Sequence, residues 1–214
     1  MIAGVHTIRV LLADDHPLVR EGLRQLLRAT ADIRVEGEAA NGDEALALVK
    51  ANDYDLVVLD LSMPGLSGIE LIKRLHLEKP RLRLLVLSMH GEQQYAVRAL
   101  KAGASGYLTK DSASAQLVGA IRKVAGGGVH ISEAAAAQLV SAVGGGDALP
   151  HTKLSNREFE VFRLLVAGES PTGIAERLHL SVKTVSTHKT RILEKMGMES
   201  TADLVRYAVE KQLS

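Results

Sequence analysis

Residues 9–22 read RVLLADDHPLVREG and residues 56–65 read LVVLDLSMPG. In both, a short run that is apolar at nearly every position stops on aspartate: Ile8–Ala13 leads into Asp14-Asp15, and Leu56–Asp60 ends on its own carboxylate. A strand apolar on both sides is buried on both sides, as the central strands of a parallel sheet are. Further runs of this kind occupy Arg34–Ala39, Arg83–Ser88 and Gly106–Thr109. The segments between them place apolar residues at helical spacing, as Val19, Leu23, Leu26 and Leu27 do, and again Leu117, Ile121, Val124 and Ala125. Asn41, with Glu44 three residues on, is an N-cap for a helix running to Ala51. Strand and helix in alternation predict a parallel sheet with helices on both faces.

Beyond residue 125 the pattern changes. Gly126-Gly127-Gly128 closes the last helix of the alternating region, and Gly144-Gly145-Gly146 precedes Pro150. Between the triplets, SEAAAAQLVSAV (132–143) reads as a short helix begun by Ser132 or Glu133. This stretch is expected to be a linker, flexible at both glycine triplets. After Pro150 the strand signal vanishes. Ser155 and Glu158 form a capping box for a helix with Phe159, Phe162 and Val166 on one face, ended by Gly168. A short helix carries Ile174, Ala175 and Leu178, a longer one runs to Met196 before Gly197, and a last one covers Ala202–Gln212. The expected organisation is an α/β domain over 1–128, a linker over 129–152 and a small all-α domain over 153–214.

Composition sets outer bounds. The 214 residues are 46% apolar, enough for two modest cores and too much for a disordered chain. There is no cysteine, which excludes a disulfide scaffold, a thiol nucleophile and a thiolate metal site, and suits a reducing cytosol. No apolar run approaches the roughly 18 residues of a membrane helix. The start, MIAGVHTIRV, lacks a basic segment followed by an apolar stretch, so no secretory signal is expected. A cytoplasmic protein with no membrane partner follows as the expectation. Residues 151–214 carry 10 Lys and Arg against 8 Asp and Glu, and the first 150 carry 16 against 17. That lean is too small to mark a nucleic-acid binder, so the placement of the charges must decide.

In an open parallel sheet, ligands bind beyond the carboxyl ends of the strands. Asp14-Asp15, Asp60, Ser88 and Lys110 all stand at such ends. Three neighbouring carboxylates raise one another's pKa, and a divalent cation relieves the repulsion. Mg²⁺ suits carboxylate, carbonyl and water oxygens beside a phosphate. A carboxylate next to such an ion, a hydroxyl and a lysine is equipped for phosphoryl transfer. Each residue alone has a plainer reading: an Asp-Asp surface turn, a strand end, a solvated lysine, a half-buried tyrosine core residue at Tyr107. Their occurrence together at successive strand ends carries the inference.

The strings RVLLADDHPLVREG, VLDLSMPGLSG, LLVLSMHG and GASGYLTK, spread over roughly residues 6–125, resemble the motifs of the response-regulator receiver family. The resemblance implies a flavodoxin-like sheet of five parallel strands in the order 2-1-3-4-5. It implies that Asp60 accepts a phosphoryl group from a sensor histidine kinase. Asp14, Asp15, Asp60 and the backbone carbonyl of Ser62 would then hold Mg²⁺. Lys110 would pair with the phosphate, Ser88 would bond a phosphate oxygen, and Tyr107 would follow as the aromatic partner of that switch. Such receivers often carry proline after the lysine, where this chain has Asp111. A cis bond without proline costs about 3–4 kcal/mol, so the loop there is expected to differ.

The stretch SPTGIAERLHLSVKTVSTHKTRILEKMGM (170–198) gives a short helix, a tight turn and a longer helix, the pattern of a DNA-binding helix-turn-helix. Ser181 is the N-cap of the longer helix. Val185, Ile192 and Met196 form its buried stripe, and Lys183, Ser186, Thr187 and Thr190 face the other way. Short donors and a lysine there suit base edges and phosphates of a major groove. Lys189 and Arg191 flank them as phosphate contacts. Thr184 is either a phosphate contact or a helix-start residue, and His188 is either half-buried packing or a phosphate contact. From Leu154 to Leu213 the chain resembles the LuxR-type domain of NarL/FixJ response regulators, through its LSNRE start, IAERL, LSVKTVSTH and the ILEKMG end. By that resemblance Leu204, Val205 and Ala208 of the last helix pair two subunits. Pro171-Thr172-Gly173 and Ser186 depart from the charged residues many relatives carry there.

The expectation is a phosphorylation-controlled transcription factor rather than an enzyme. Its partners would be promoter double-stranded DNA, a sensor histidine kinase and RNA polymerase, and it would be a homodimer on phosphorylation or on DNA. A phosphoryl group adds roughly −1.5 to −2 charge. Switching from 1:99 to 99:1 needs about 5.5 kcal/mol of differential stabilisation. Reordering of Ser88, Tyr107 and the adjoining helix surface would free the second domain or promote dimerisation. Two alternatives remain at this point: a phosphohydrolase or phosphotransferase with Asp60 as nucleophile, disfavoured by the appended helix-turn-helix, and a partner-driven regulator that ignores phosphate, disfavoured by the intact acid and lysine positions.

Overall fold

The computed structural model describes residues 7–66, 68–89, 92–133, 135–137, 139, 149–178, 180–211 and 213, with residues 92–94 and 156 described in their backbone alone. The chain divides into two compact units, Met1–Val140 and Ser141–Ser214.

The first unit alternates strand and helix: β1 (Ile8–Ala13), α1 (Pro17–Arg28), β2 (Ile33–Ala39), α2 (Gly42–Ala51), β3 (Leu56–Asp60), α3 (Gly68–Glu78), β4 (Arg83–Ser88), α4 (Glu92–Lys101), β5 (Gly106–Thr109) and α5 (Lys110–Ala125). The strands pair in parallel in the order β2-β1-β3-β4-β5, as expected from the sequence. Every residue of β3 is buried, whereas β2, at the edge, alternates between buried and exposed positions. Alternate side chains of a strand point to opposite faces. One face, with Val10, Leu12, Leu56, Val58, Leu85, Leu87 and Leu108, packs with Leu23 and Leu27 of α1 and Leu117, Ile121 and Val124 of α5. The intervening residues Leu11, Val57, Leu59, Leu84, Val86 and Tyr107 are buried on the other face, which α2, α3 and α4 cover. The cap read from the sequence is present: the Glu44 N–H donates to Asn41 Oδ1 at 2.9 Å.

The register sets the site. Ala13 pairs with Leu59, Asp60 with Leu87, and Ser88 with Thr109. Asp14, Asp60, Ser88 and Lys110 therefore stand along one edge of the sheet. Strand order reverses between β1 and β3, and a crevice opens at such a reversal.

The segment expected to begin a linker at residue 129 starts attached to this sheet. The Gly127 backbone is left-handed (φ 89°), and the Gly128 N–H donates to the Lys123 carbonyl at 2.9 Å, so the glycine triplet closes α5 with hydrogen bonds. His130 then pairs beside Gly106: Tyr107 N–H donates to His130 O at 2.8 Å, and His130 N–H to Ser105 O at 3.2 Å. Ser132 caps a following turn, its Oγ accepting from Ala135 N–H at 3.2 Å. The rest of the helix expected over 132–143, and the second glycine triplet, lie largely outside the described residues.

In the second unit a 3-10 turn (Pro150–Lys153) precedes α6 (Asn156–Val166), α7 (Pro171–Arg177), α8 (Val182–Met196) and α9 (Thr201–Glu210). Serines cap all four helices: Ser155 and Ser200 with full capping boxes, Ser170 and Ser181 through an N–H three residues on. Gly197 ends α8 in the left-handed conformation (φ 65°). Phe159, Phe162, Ile174, Val185, Ile192, Met196, Leu204 and Ala208 are buried, and α6 packs on both α8 and α9. His151 Nδ1 and the Tyr207 hydroxyl, 2.7 Å apart, tie the 3-10 turn to α9.

Candidate functional site

Asp14 and Asp60, each 2% exposed, share one cation. Lys110 Nζ lies 2.8 Å from Asp60 Oδ2, which it hydrogen-bonds, and 2.6 Å from Asp14 Oδ2 as an ion pair. The other oxygens are held by the backbone: Ser62 N–H donates to Asp60 Oδ1 at 3.1 Å, and His16 N–H to Asp14 Oδ1 at 2.8 Å. Burial pushes the Asp60 carboxyl above its ordinary pKa. Lys110 and the Ser62 N–H pull it back without cancelling that effect, and the Asp14 charge adds to it. Burial alone would push the Lys110 ammonium down, but its two carboxylate partners outweigh burial and raise it. A firmly charged lysine thus faces a carboxylate that one positive charge does not fully compensate.

Asp15 and His16 complete the pocket. Asp14, Asp15, His16 and Asp60 each bring one ligand atom within 4.8 Å of the others. His16 Nδ1 lies 2.9 Å from Asp15 Oδ1 and 3.3 Å from Asp14 Oδ1. His16 was not among the residues read from the sequence; its place directly after the Asp-Asp pair is the signal that could have found it. Ser62 is exposed beside Asp60, Ser88 is buried at the end of β4, and the Tyr107 ring is buried in β5. Lys110 opens α5 directly, and Asp111 lies in the first turn of that helix, where an acid favours the positive end of the dipole. All peptide bonds among the described residues are trans, including the one after Lys110.

On α8, Lys183, Ser186, Thr187, Thr190 and Arg191 are exposed, and Lys189 is half-buried. The Thr184 hydroxyl lies 2.7 Å from Ser181 Oγ, at the cap of the helix. His188 is half-buried, its Nδ1 has no hydrogen-bond partner, and burial lowers its pKa. Beneath the helix, the buried Glu158 receives Lys195 Nζ at 2.7 and 2.9 Å and Ser155 N–H at 2.7 Å.

The family described as "Response regulator receiver domain" matches residues 10–122, and "Bacterial regulatory proteins, luxR family" matches 152–208. The chain belongs to the response regulators. More narrowly, it is of the NarL/FixJ type, a receiver followed by a LuxR-type helix-turn-helix. The family is one of transcription regulators, not enzymes in the ordinary sense. This response regulator is 34% identical over 208 residues to the response regulator UvrY of Escherichia coli O6:H1, covering 96% of this chain and 95% of that protein. It is 36% identical over 214 residues to the oxygen regulatory protein NreC of Staphylococcus carnosus, covering 96% and 99%. Among solved structures, RcsB of Salmonella enterica serovar Typhimurium, bound to promoter rprA with the phosphomimetic BeF3⁻, is 30% identical with a TM-score of 0.69, covering 94% of this chain and 98% of that one.

One group of expected residues needs correction. Leu204 and Ala208 of the regulator are fully buried within its second unit, so neither has surface left for a second copy. Val205 is half-buried, and the large exposed apolar side chain on α9 is Val209, 63% accessible. The sequence reading named Leu204 and Ala208 of the inward-packed stripe together with Val205 of the other, and did not name Val209.

Proposed function

We propose that Asp60 is the phosphoacceptor of this regulator and that its phosphorylation governs promoter binding by α8. The observation that carries this reading is the Lys110 ammonium set between Asp14 and Asp60 at the carboxyl edge of the sheet. A carboxylate oxygen of Asp60 attacks the phosphorus of a phosphohistidine on a sensor kinase. The phosphorus–nitrogen bond breaks, and its electron pair leaves with the imidazole. Lys110 gives up its bond to Asp60 Oδ2 and follows the charge onto the phosphoryl oxygens.

The oxygen donors of Asp14, Asp15 and Asp60 fit Mg²⁺, with the Ser62 carbonyl as a further ligand. When bound there, Mg²⁺ supplies the positive charge that offsets the phosphoryl oxygens. The Ser88 hydroxyl donates to one of those oxygens, and the buried Tyr107 ring repacks behind it on β5.

The second domain then acts on DNA. Lys183, Ser186, Thr187 and Thr190 face the groove, with Lys189 and Arg191 on phosphates. Thr184 belongs to the helix cap. The promoter-bound RcsB structure supports carrying this role to the present chain. A homodimer reads paired half-sites, with Val205 and Val209 between the copies, and RNA polymerase is the downstream partner. No helix among the described residues is long and apolar enough to cross a membrane, and we place the protein in the cytoplasm.

Selection from a random duplex pool, with and without acetyl phosphate and Mg²⁺, tests the reading. Enrichment of a paired half-site should strengthen with the phosphodonor for the wild type and not for Asp60→Asn. Equal strengthening in both proteins would overturn it.

A further inference from the structure

The N-terminal half of α8, the part of a recognition helix that meets base edges, offers few polar donors outward. Thr187 Oγ1 donates to the Lys183 carbonyl at 3.0 Å, and Thr190 Oγ1 to the Ser186 carbonyl at 3.2 Å. Both hydroxyls are turned back along their own helix. A threonine that bonds the carbonyl one turn back leaves its methyl as the outward substituent. Thr187 and Thr190 are three residues apart, hence neighbours on one face, and both are exposed.

On this surface lysine is the one usual reader of guanine, and no usual reader of adenine occurs. Arginine and lysine make the paired hydrogen bonds to guanine, and asparagine and glutamine those to adenine; over residues 182–190 only Lys183 and Lys189 are of these types. Arg191 lies about 100° round the helix from Thr190. Lys183 is the one exposed cation in the first two turns. What remains at the centre is a pair of methyl groups. Their positions are about 4.5 Å apart along the helix axis, little more than one base step of about 3.4 Å.

We propose that Thr187 and Thr190 specify thymine at two neighbouring positions of each half-site, by contact of their methyls with the thymine C5-methyl. The inference rests on the reading of α8 as the groove-entering helix and adds which base it selects and by which atoms. Apolar contact with the thymine methyl is one of the few ways the major groove distinguishes a base without a hydrogen bond.

The test uses the full-length protein, treated with acetyl phosphate and Mg²⁺, and the duplex recovered from a random pool. Each thymine is replaced in turn by deoxyuridine, which removes the C5-methyl and nothing else. The readout is the ratio of affinities for the thymine and deoxyuridine duplexes. At two neighbouring positions the ratio should be about 4, the value of burying one methyl group. In Thr187→Ser, which keeps the hydroxyl and loses the methyl, the ratio should fall to about 1 at one of those positions, and in Thr190→Ser at the other. In Thr187→Val and Thr190→Val, which keep a methyl and lose the hydroxyl, it should persist. Thermal melts of the four variants show whether the domain stays folded. A ratio near 1 throughout in the wild type, or its loss in the valine variants as well, would overturn the thymine assignment while leaving the recognition helix in place. A pool that yields no enriched sequence would overturn the groove reading itself, and the assignment with it.

Discussion

Tyr107 donates its backbone N–H to the carbonyl of His130 at 2.8 Å, which fastens the first residues after α5 to β5. The same strand leads through Thr109 into Lys110. On the proposed function, a phosphoryl group on Asp60 that drew Lys110 away would pull on the end of the strand that holds the start of the interdomain segment.

Amide exchange reports local opening of such hydrogen bonds. The amides of Tyr107 and His130 should change their exchange rates together when the protein is phosphorylated by acetyl phosphate. In Asp60→Asn neither should respond. Exchange at His130 that ignored phosphorylation while Tyr107 responded would separate the segment from the switch.

Removing Lys110 strands two buried carboxylates. Breaking a buried pair in this way costs about 3–5 kcal/mol. Lys110→Ala should lose stability on that scale in a metal-free buffer. It should also regain more from Mg²⁺ than the wild type does, because the ammonium no longer competes for Asp14 and Asp60; a ligand that binds only the folded state stabilises it by mass action. Thermal melts across a Mg²⁺ titration measure both effects. Equal Mg²⁺ responses in the two proteins would contradict the shared use of these oxygens.

Acid should weaken the second domain in two steps. Burial lowers the pKa of His188, so the folded state keeps it neutral while the unfolded chain protonates it at about pH 6.5. Its contribution is complete above that value and is lost as pH falls toward the lower folded pKa. For Glu158, burial acts upward but is outweighed by Lys195 and by the Ser155 backbone and side chain, and its pKa is lowered. A depressed carboxyl stabilises above its unfolded pKa of about 4.3 and loses that contribution as pH falls through the folded value. Urea unfolding of the full chain at a series of pH values should show the second domain softening first in the histidine window and then in the carboxylate window. His188→Gln should remove the first step, and Glu158→Gln the second.

The two apolar stripes of α9 predict opposite phenotypes. Leu204→Ala should destabilise the domain by about 2–5 kcal/mol, the cost of a cavity in a core. Val209→Glu should change stability by no more than about 0.5 kcal/mol, as surface substitutions do, yet weaken binding to a paired half-site relative to a single one. Sedimentation and DNA titration of Val209→Glu distinguish the two roles.

The strand ends were legible because four of the five apolar runs stop on or directly before a polar residue, and the parallel order then forces Asp14, Asp60, Ser88 and Lys110 to one edge. The caps at Asn41, Ser155 and Ser181 were legible because capping is local. The pairing of His130 with β5 was not, because a glycine triplet reads as freedom whether or not a neighbouring strand edge has unpaired amides to offer. The α9 stripes were indistinguishable for a similar reason: Leu204 and Ala208 share the spacing of Val205 and Val209, and only the docking of α9 against α6 decides which pair is buried. The hydroxyl directions of Thr187 and Thr190 likewise depend on rotamers that composition does not specify.

The central claim is that one aspartyl oxygen in this lysine-bridged pocket captures phosphorus. Intact-mass measurement of the full chain after incubation with acetyl phosphate and Mg²⁺, followed by mapping of the modified peptide, tests it most directly. The account predicts the gain of a single phosphoryl group located at Asp60 and no gain in Asp60→Asn. An unmodified wild-type chain, or a phosphoryl group that persists in Asp60→Asn, would contradict it.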